Sequence, residues 1–184
     1  MLSCRNPRVT GAVLAGMLVV GAGAADARGP VWIRQSAGKN PAAAIGDGAG
    51  SSIGITCVTG RDPVYFLDVR GPAAGLKAGR GVTAVIEGRR KVKFRFDRAV
   101  PEPGGRIRLT SQGGYRGSTG DQSGTLEAIE SIATAKGPIK VRSGDFGFTV
   151  SSFGVQSAMA PVIRACGDLK KMIKRAEGRE GELG

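Results

Sequence analysis

The sequence contains no histidine, and this absence removes more chemistry than any other feature of its composition. Histidine is the usual general base near neutral pH and the commonest metal-binding side chain. Without it the chain has neither a Ser-His-Asp nor a Cys-His arrangement for nucleophilic catalysis, and no histidine-based metal site. Its three cysteines are too few for a four-thiolate zinc site. We therefore expect a protein that is not an enzyme and that holds no metal ion or cofactor.

Long apolar runs are also missing, apart from one close to the N-terminus. Arg5 and Arg8 form a positive head, Val9–Val20 is apolar, and small residues lead to Ala-Asp-Ala at residues 25–27. This is the three-part pattern of a signal peptide with its cleavage site. Because the apolar run is shorter than the roughly 20 residues that span a bilayer, cleavage is favoured over a retained anchor. We predict a signal peptide at residues 1–27, a periplasmic or secreted protein, and no transmembrane segment after cleavage.

Only two cysteines, Cys57 and Cys166, follow the predicted signal peptide. Cys57 alternates with Ile53 and Ile55, which places all three on one face of a strand. Cys166 ends an apolar pattern of helical spacing that begins at Val155, so it also lies on an apolar face. In an oxidising compartment such a pair indicates a structural disulfide, and no C-x-x-C spacing supports the redox-active alternative. We predict a Cys57–Cys166 bridge that stabilises the fold by about 4–5 kcal/mol on the chain-entropy model.

Acidic residues are outnumbered by basic ones, 15 to 27, which gives a formal net charge of +12. Removal of residues 1–27 takes away two arginines and one aspartate and leaves +11. A charge excess of this size attracts anionic partners without specifying a fold. For an exported protein we expect the partner to be an acidic protein or an anionic envelope component, and we expect no nucleic acid.

Hydrophobic periodicity predicts about seven short strands, with two helices late in the chain. A short first strand is expected at residues 31–33, and the others at residues 52–58, 64–69, 81–87, 91–97, 106–110, 139–142 and 146–151. The first helix is expected to begin at Thr125 as its N-cap, and the second is expected to begin at Val155. Residues 35–51 and 111–124 are rich in glycine and are expected to be loops.

This order of elements predicts an α+β fold with an antiparallel sheet or a β-sandwich. A single disulfide-stapled domain is expected at residues 28–168, followed by a basic charged tail at residues 169–184.

The clearest positive signal for function is the alternation of basic and apolar residues at 91–96, 106–109 and 139–142. Period-two alternation sends the cations of a strand to the face opposite its apolar residues. If residues 91–97 pair with residues 105–110 as a hairpin, five cations share one face. The candidate binding residues are Arg89, Arg90, Lys91, Lys93, Arg95, Arg106 and Arg108. Because like charges on one face destabilise a sheet, the cluster favours an anionic partner, with ordinary solvated surface as the alternative.

Paired carboxylates keep a glycosidase-type mechanism open as another alternative. The acidic residues of the domain that are candidates for this role are Asp68, Glu87, Asp97, Glu127, Glu130 and Asp145. Glu127 and Glu130 share a helix face opposite the apolar stripe, where solvated surface charge is the commoner explanation.

The end of the domain, residues 146–167, follows a pattern of strand, aromatic-small turn and helix ending in Cys-Gly. The helix has the form A-x-x-P-h-h-x-x-C-G, in which Pro161 and Cys166 are fixed points and h is apolar. With Trp32 near the mature start and Cys57 in an early strand, this ending resembles that of invasion-associated locus B proteins and accessory periplasmic proteins of type VI secretion. The resemblance implies a periplasmic, disulfide-bonded envelope protein without enzymatic activity. It implies no functional residue.

Together these patterns predict a non-enzymatic interaction module that binds an acidic protein or an envelope polyanion through a basic sheet face. A structural accessory of a secretion or envelope assembly is the alternative, and a carboxylate-based hydrolase of an envelope polymer ranks third.

Overall fold

The computed structural model describes residues 30–37, 39–114 and 122–180, so the predicted signal peptide lies outside the described residues. The strands are β1 (Ile33–Ala37), β2 (Asn40–Gly46), β3 (Ser52–Val58), β4 (Val64–Pro72), β5 (Gly79–Glu87), β6 (Lys91–Glu102), β7 (Arg106–Gly114), β8 (Ile139–Ser143) and β9 (Phe146–Val150). The helices are α1 (Gln122–Ala133), α2 (Val155–Cys166) and α3 (Leu169–Glu180).

All strands of the described residues belong to one antiparallel sheet, in the order β1-β2-β3-β4-β7-β6-β5-β8-β9. The α+β class is therefore confirmed, with nine strands instead of about seven and three helices instead of two in the described ranges. The order departs from chain order because β5, β6 and β7 form a meander that returns to β4. As a result, β8 pairs with the edge of β5 that β6 leaves free.

The core lies on one face of this sheet, because buried and outward side chains alternate along most of the strands. In β4 the side chains of Tyr65, Leu67 and Val69 are buried, and those between them point outward. Helix α1 packs on β5, β6 and β7, α2 packs on β1, β2 and β3, and α3 packs on α1. Each large apolar side chain buried in this way contributes about 1.5–3 kcal/mol relative to an exposed one.

The sheet curls, so that the segments at its two ends meet. The backbone N–H of Trp32, just before β1, donates to the carbonyl oxygen of Phe153 at 3.1 Å. Its indole N–H donates to the carbonyl oxygen of Ser151 at 2.8 Å. Phe146 of β9 also lies against Gly71 of β4, where an added Cβ would meet the ring at 2.9 Å. Trp32 therefore ties the start of the sheet to the segment that follows β9.

Two segments predicted to be loops contain regular structure. Within residues 35–51, β1 and β2 form a hairpin, and Ala42 and Ala43 are buried on it. Alanine and glycine have low strand propensity, but small side chains let α2 approach β2 closely, and tertiary packing overrides the local preference. At the other segment, β7 continues to Gly114 and α1 already begins at Gln122.

Thr125 does not cap α1, because it lies inside the helix and is fully buried. Its hydroxyl hydrogen-bonds the hydroxyl of Ser111 in β7. Close by, a Cβ on Gly113 would meet Leu126 at 2.7 Å, so glycine at this position allows α1 to lie directly on β7. Gly113, one of the glycines that indicated a loop, is therefore a packing position.

The predicted disulfide is confirmed, because the Sγ atoms of Cys57 and Cys166 lie at bonding distance and their Cα atoms are 5.6 Å apart. It joins β3 to the last residue of α2. Beside it, the Tyr65 hydroxyl donates to the carbonyl oxygen of Gly167 at 2.7 Å. Burial raises the pKa of this phenol, and the negative charge of Asp168 raises it further. The junction between α2 and α3 is thus fixed to the sheet by one covalent bond and one hydrogen bond.

The segment at residues 169–184, predicted as a charged tail, forms α3 over its described part. Leu169, Met172 and Ile173 are buried against the domain, and the lysines of the helix point outward. No helix in residues 30–37, 39–114 and 122–180 combines the length and apolar character needed to cross a membrane.

Candidate anion-binding site

The outward face of the sheet carries the predicted basic residues, but their strand pairing differs from the expected hairpin. Residues Arg98–Glu102 of β6 pair with Arg106–Thr110 of β7. The part of β6 that pairs with β7 is therefore its second half, and not residues 91–97 as predicted. The first half of β6, with Lys91, Lys93 and Arg95, pairs with β5 instead. The structure therefore separates these three cations from Arg106 and Arg108.

Arg108 and Arg106 each bind an acceptor within the protein. The Arg108 guanidinium forms an ion pair with Asp68 at 2.9 Å. Beside them, Arg70 and Glu102 form a second pair at 3.5 Å. The part of the outward face formed by β4 and β7 is thus largely neutralised within the protein.

Arg106 holds the loop that joins β2 and β3. Its guanidinium donates to the carbonyl oxygen of Gly50. In the same loop the Asp47 carboxylate accepts hydrogen bonds from the backbone N–H groups of Ala49 and Ser51, both at 2.8 Å. Partial burial raises the pKa of Asp47, but the hydrogen bonds from Ser51 and Ala49 outweigh it and hold the pKa below its ordinary value. Arg106 is therefore a structural side chain.

Arg90 fastens the turn between β5 and β6 to α1. Its guanidinium lies 3.2 Å from Glu127 and 3.1 Å from Glu130. Its backbone N–H donates to the Ser131 hydroxyl at 3.1 Å, and that hydroxyl donates to the Arg90 carbonyl at 2.7 Å. Arg89, also in this turn, donates its backbone N–H to the Ser131 carbonyl at 2.9 Å, and its side chain is exposed.

Strand β8 brings two further cations to the first half of β6. Lys140 lies across from Glu87 of β5, and Glu87 lies across from Lys91 of β6. Two residues further along β5, Arg142 and Lys93 lie on either side of Val85. Basic alternation at residues 139–142 was visible in the sequence, but the β5–β8 pairing that joins the two groups was not.

We call this arrangement the basic trough: two rows of cations, Lys91 with Lys93 and Lys140 with Arg142, on either side of a floor formed by Val85 and Glu87. Because β5 lies between the rows, they are about 10 Å apart, twice the spacing of neighbouring strands. Along each row the side chains repeat every ~6.7 Å, since alternate residues share a face. Arg95 continues the β6 row, and its guanidinium lies over Gly81, where a Cβ would collide with it.

The charges of the basic trough are poorly compensated. Its one carboxylate, Glu87, lies 3.9 Å from the Lys91 amino group, and the Lys91 side chain is 70% exposed. Such an exposed pair contributes at most about 1 kcal/mol. Within the described residues, Lys93, Lys140 and Arg142 form no ion pair. This part of the sheet therefore carries four cations against one carboxylate.

Four of the six carboxylates considered for hydrolysis are paired with an arginine or a lysine. Asp68 pairs with Arg108, Glu127 and Glu130 pair with Arg90, and Glu87 lies beside Lys91. Asp97 accepts the backbone N–H of Gln112 at 3.0 Å, and Asp145 is exposed in the β8–β9 turn. None of the six lines either of two cavities found among the described residues, which have volumes of about 510 and 330 Å³.

The larger cavity lies between residues 136–138 and 149–153, and the smaller one beside Cys166 and the start of α3. The smaller cavity contains Arg61 and Lys171 together with Asp62 and Asp168, so its charges are mixed. The described residues contain no cluster of three or more Cys, Asp or Glu side chains placed to hold a metal ion.

The fold and the site define an α+β protein with a curled antiparallel sheet, one disulfide, and a basic trough on the outward face. No protein-family model, curated protein or solved structure matches the chain. Export to the periplasm and the likeness of residues 146–167 to two families of envelope proteins therefore stay predictions.

Proposed function

We propose that the protein is an exported, non-enzymatic interaction module that holds an acidic protein or an envelope polyanion through the basic trough. The observation that carries this proposal is the uncompensated charge of Lys93, Lys140 and Arg142, which lie together on a sheet where the outward Arg70 and Arg108 are paired with carboxylates. Like charges at this spacing repel one another, and an anionic partner removes that repulsion.

The rigidity of the strands that carry the basic trough also supports the proposal. Strands β5, β6 and β8 are hydrogen-bonded side by side, and α1 packs behind β5 and β6. The buried residues that alternate with the cations, such as Phe94 and Val141, fix the backbone that presents them. The cations are therefore held in a fixed pattern, with only their flexible stems to be ordered on binding.

The test is retention of the mature protein on an anionic matrix and on envelope extract across a salt series. We expect retention to fall steeply with salt, and to be lost when Lys91, Lys93 and Arg95 are changed to Glu. The matched control changes Lys170, Lys171 and Lys174 on α3 to Glu, which alters the net charge equally and should leave most of the retention. Salt-insensitive retention, or equal losses in both variants, contradicts the proposal.

A structural role in a secretion or envelope assembly is the second candidate, favoured by an apolar surface at the start of the sheet. Val31, Ile33 and Phe153 are 38%, 50% and 52% exposed, and Val31 and Phe153 flank the same hydrogen-bonded contact at Trp32. We expect Ile33→Thr with Phe153→Ser to abolish co-elution with an envelope complex in gel filtration if this role holds. Elution of the unaltered protein as a free monomer from envelope extract contradicts it.

A further inference from the structure

We infer that the partner is a linear polyanion, bound in an extended form along β5 between the two rows of the basic trough. This inference rests on the proposed function and narrows it from any anionic partner to one chemical class: an unbranched chain with regularly spaced carboxylate or phosphate groups.

The geometry of the rows carries the inference. Because β6 and β8 are both antiparallel to β5, they run parallel to each other, and their cations lie side by side: Lys91 with Lys140, and Lys93 with Arg142. The rows are about 10 Å apart and repeat every ~6.7 Å, so an extended chain fits between them with anionic groups reaching both sides. Arg95 extends the β6 row to a length of about 13 Å.

The surface lacks the features of a protein-binding patch. Stable protein interfaces are enriched in aromatic residues at their centres and depleted in lysine. Here three of the four defining cations are lysines, and the floor offers one valine and one carboxylate. Across the described part of β9, the outward residues next to β8 are Gly147 and Thr149, so no aromatic anchor borders the trough there. The same composition disfavours single-stranded nucleic acid, whose bases stack on aromatic side chains.

Glu87 has a defined role in this arrangement. It lies between Lys91 and Lys140, at one end of the trough floor, and its side chain is 31% exposed. A polyanion that enters the trough meets this carboxylate, so Glu87 opposes binding at that end. Replacement by the uncharged isostere should therefore strengthen binding, which is an unusual direction for a substitution in a binding site.

The experiment measures the affinity of the mature protein for oligoglutamates of increasing length and for a branched oligoglutamate of the same composition. An extended peptide presents alternate carboxylates at the same ~6.7 Å repeat as the rows, and about five residues span the β6 row. We expect affinity to rise steeply up to that length and only gradually beyond it. The linear chain should bind more tightly than its branched counterpart.

Two matched variants locate the binding site. Glu87→Gln should raise the affinity for the linear chain roughly three- to fivefold, whereas Glu102→Gln, with the same change of net charge at the far end of β6, should leave it unchanged. Val85→Glu places a carboxylate between Lys93 and Arg142 and should lower the affinity roughly fivefold. Gln156→Glu on the exposed surface of α2 is its control, and Thr83→Glu, at an exposed position, replaces Val85→Glu if that variant does not fold.

The outcomes separate this inference from the proposed function. Equal affinity for linear and branched chains, or equal effects of Glu87→Gln and Glu102→Gln, overturns the inference that a linear polyanion binds in the basic trough. If binding then still falls with salt and with reversal of Lys91, Lys93 and Arg95, the basic face remains a binding site for a partner of another class. Absence of salt-dependent binding to every probe overturns both.

Discussion

Replacement of Gly88 by alanine tests how the turn between β5 and β6 is held to α1. This glycine lies beside Ser131, where an added Cβ would collide with the carbonyl oxygen and lie 2.8 Å from the carbonyl carbon. Both atoms belong to the helix backbone, so the turn must move away. Ser131 makes three hydrogen bonds to that turn, two with Arg90 and one with Arg89.

The size of the effect follows from these hydrogen bonds. Each contributes about 0.5–1.5 kcal/mol net, and a shift large enough to relieve the clash weakens all three. We expect Gly88→Ala to lower the free energy of unfolding by about 2–3 kcal/mol, measured by urea denaturation. Gly60→Ala is the control, because a Cβ on Gly60 meets nothing within 4 Å. A loss of less than about 0.5 kcal/mol for Gly88→Ala would refute the reasoning.

Three further predictions concern the disulfide and two titrating groups. Replacement of Cys57 and Cys166 by alanine opens a loop with a sequence separation of 109 and should lower the free energy of unfolding by about 5 kcal/mol; a loss below about 2 kcal/mol in urea denaturation contradicts this. Asp47 has a lowered pKa in the folded protein, so its contribution to stability is present above the unfolded pKa of about 3.9 and is lost as pH falls through the folded pKa. Asp47→Asn should therefore reduce the fall in melting temperature at acid pH. An unchanged fall contradicts this prediction. Tyr65 has a raised pKa, so its contribution to stability is present below about pH 10 and is lost as pH rises above that. Tyr65→Phe should remove this alkaline decline and lower the free energy of unfolding by about 1 kcal/mol at neutral pH. Melting curves that are unaltered at both neutral and alkaline pH disprove the role of the hydroxyl.

The parts of the fold that follow local rules were predictable. Alternation at residues 53–57 and helical spacing at residues 155–166 placed both cysteines on apolar faces, and the disulfide followed from that. The strands and helices that depend on partners were not predictable in the same way. Strand β2 is rich in alanine, which has little strand preference until α2 packs on the strand.

In the candidate site, too, the features set by local sequence pattern were predictable and those set by strand pairing were not. Which side chains point outward was visible from period-two alternation, and the described residues follow it on β7, on β8 and at residues 91–96 of β6. Strand pairing decides which cations meet, and pairing is a property of the whole sheet. Thus Arg106 and Arg108, which are near Lys91 and Lys93 in sequence, bind Gly50 and Asp68, whereas distant Lys140 and Arg142 complete the trough.

The measurement that tests the central claim most directly is the salt dependence of binding of the mature protein to a linear oligoglutamate. The slope of log affinity against log salt concentration reports how many ionic contacts the chain makes. We predict a steep slope for the unaltered protein, one that persists after the three lysines of α3 are reversed. Reversal of Lys91, Lys93 and Arg95 should abolish it. A shallow slope throughout, or one that survives reversal of the β6 row, would contradict a binding role for the basic trough.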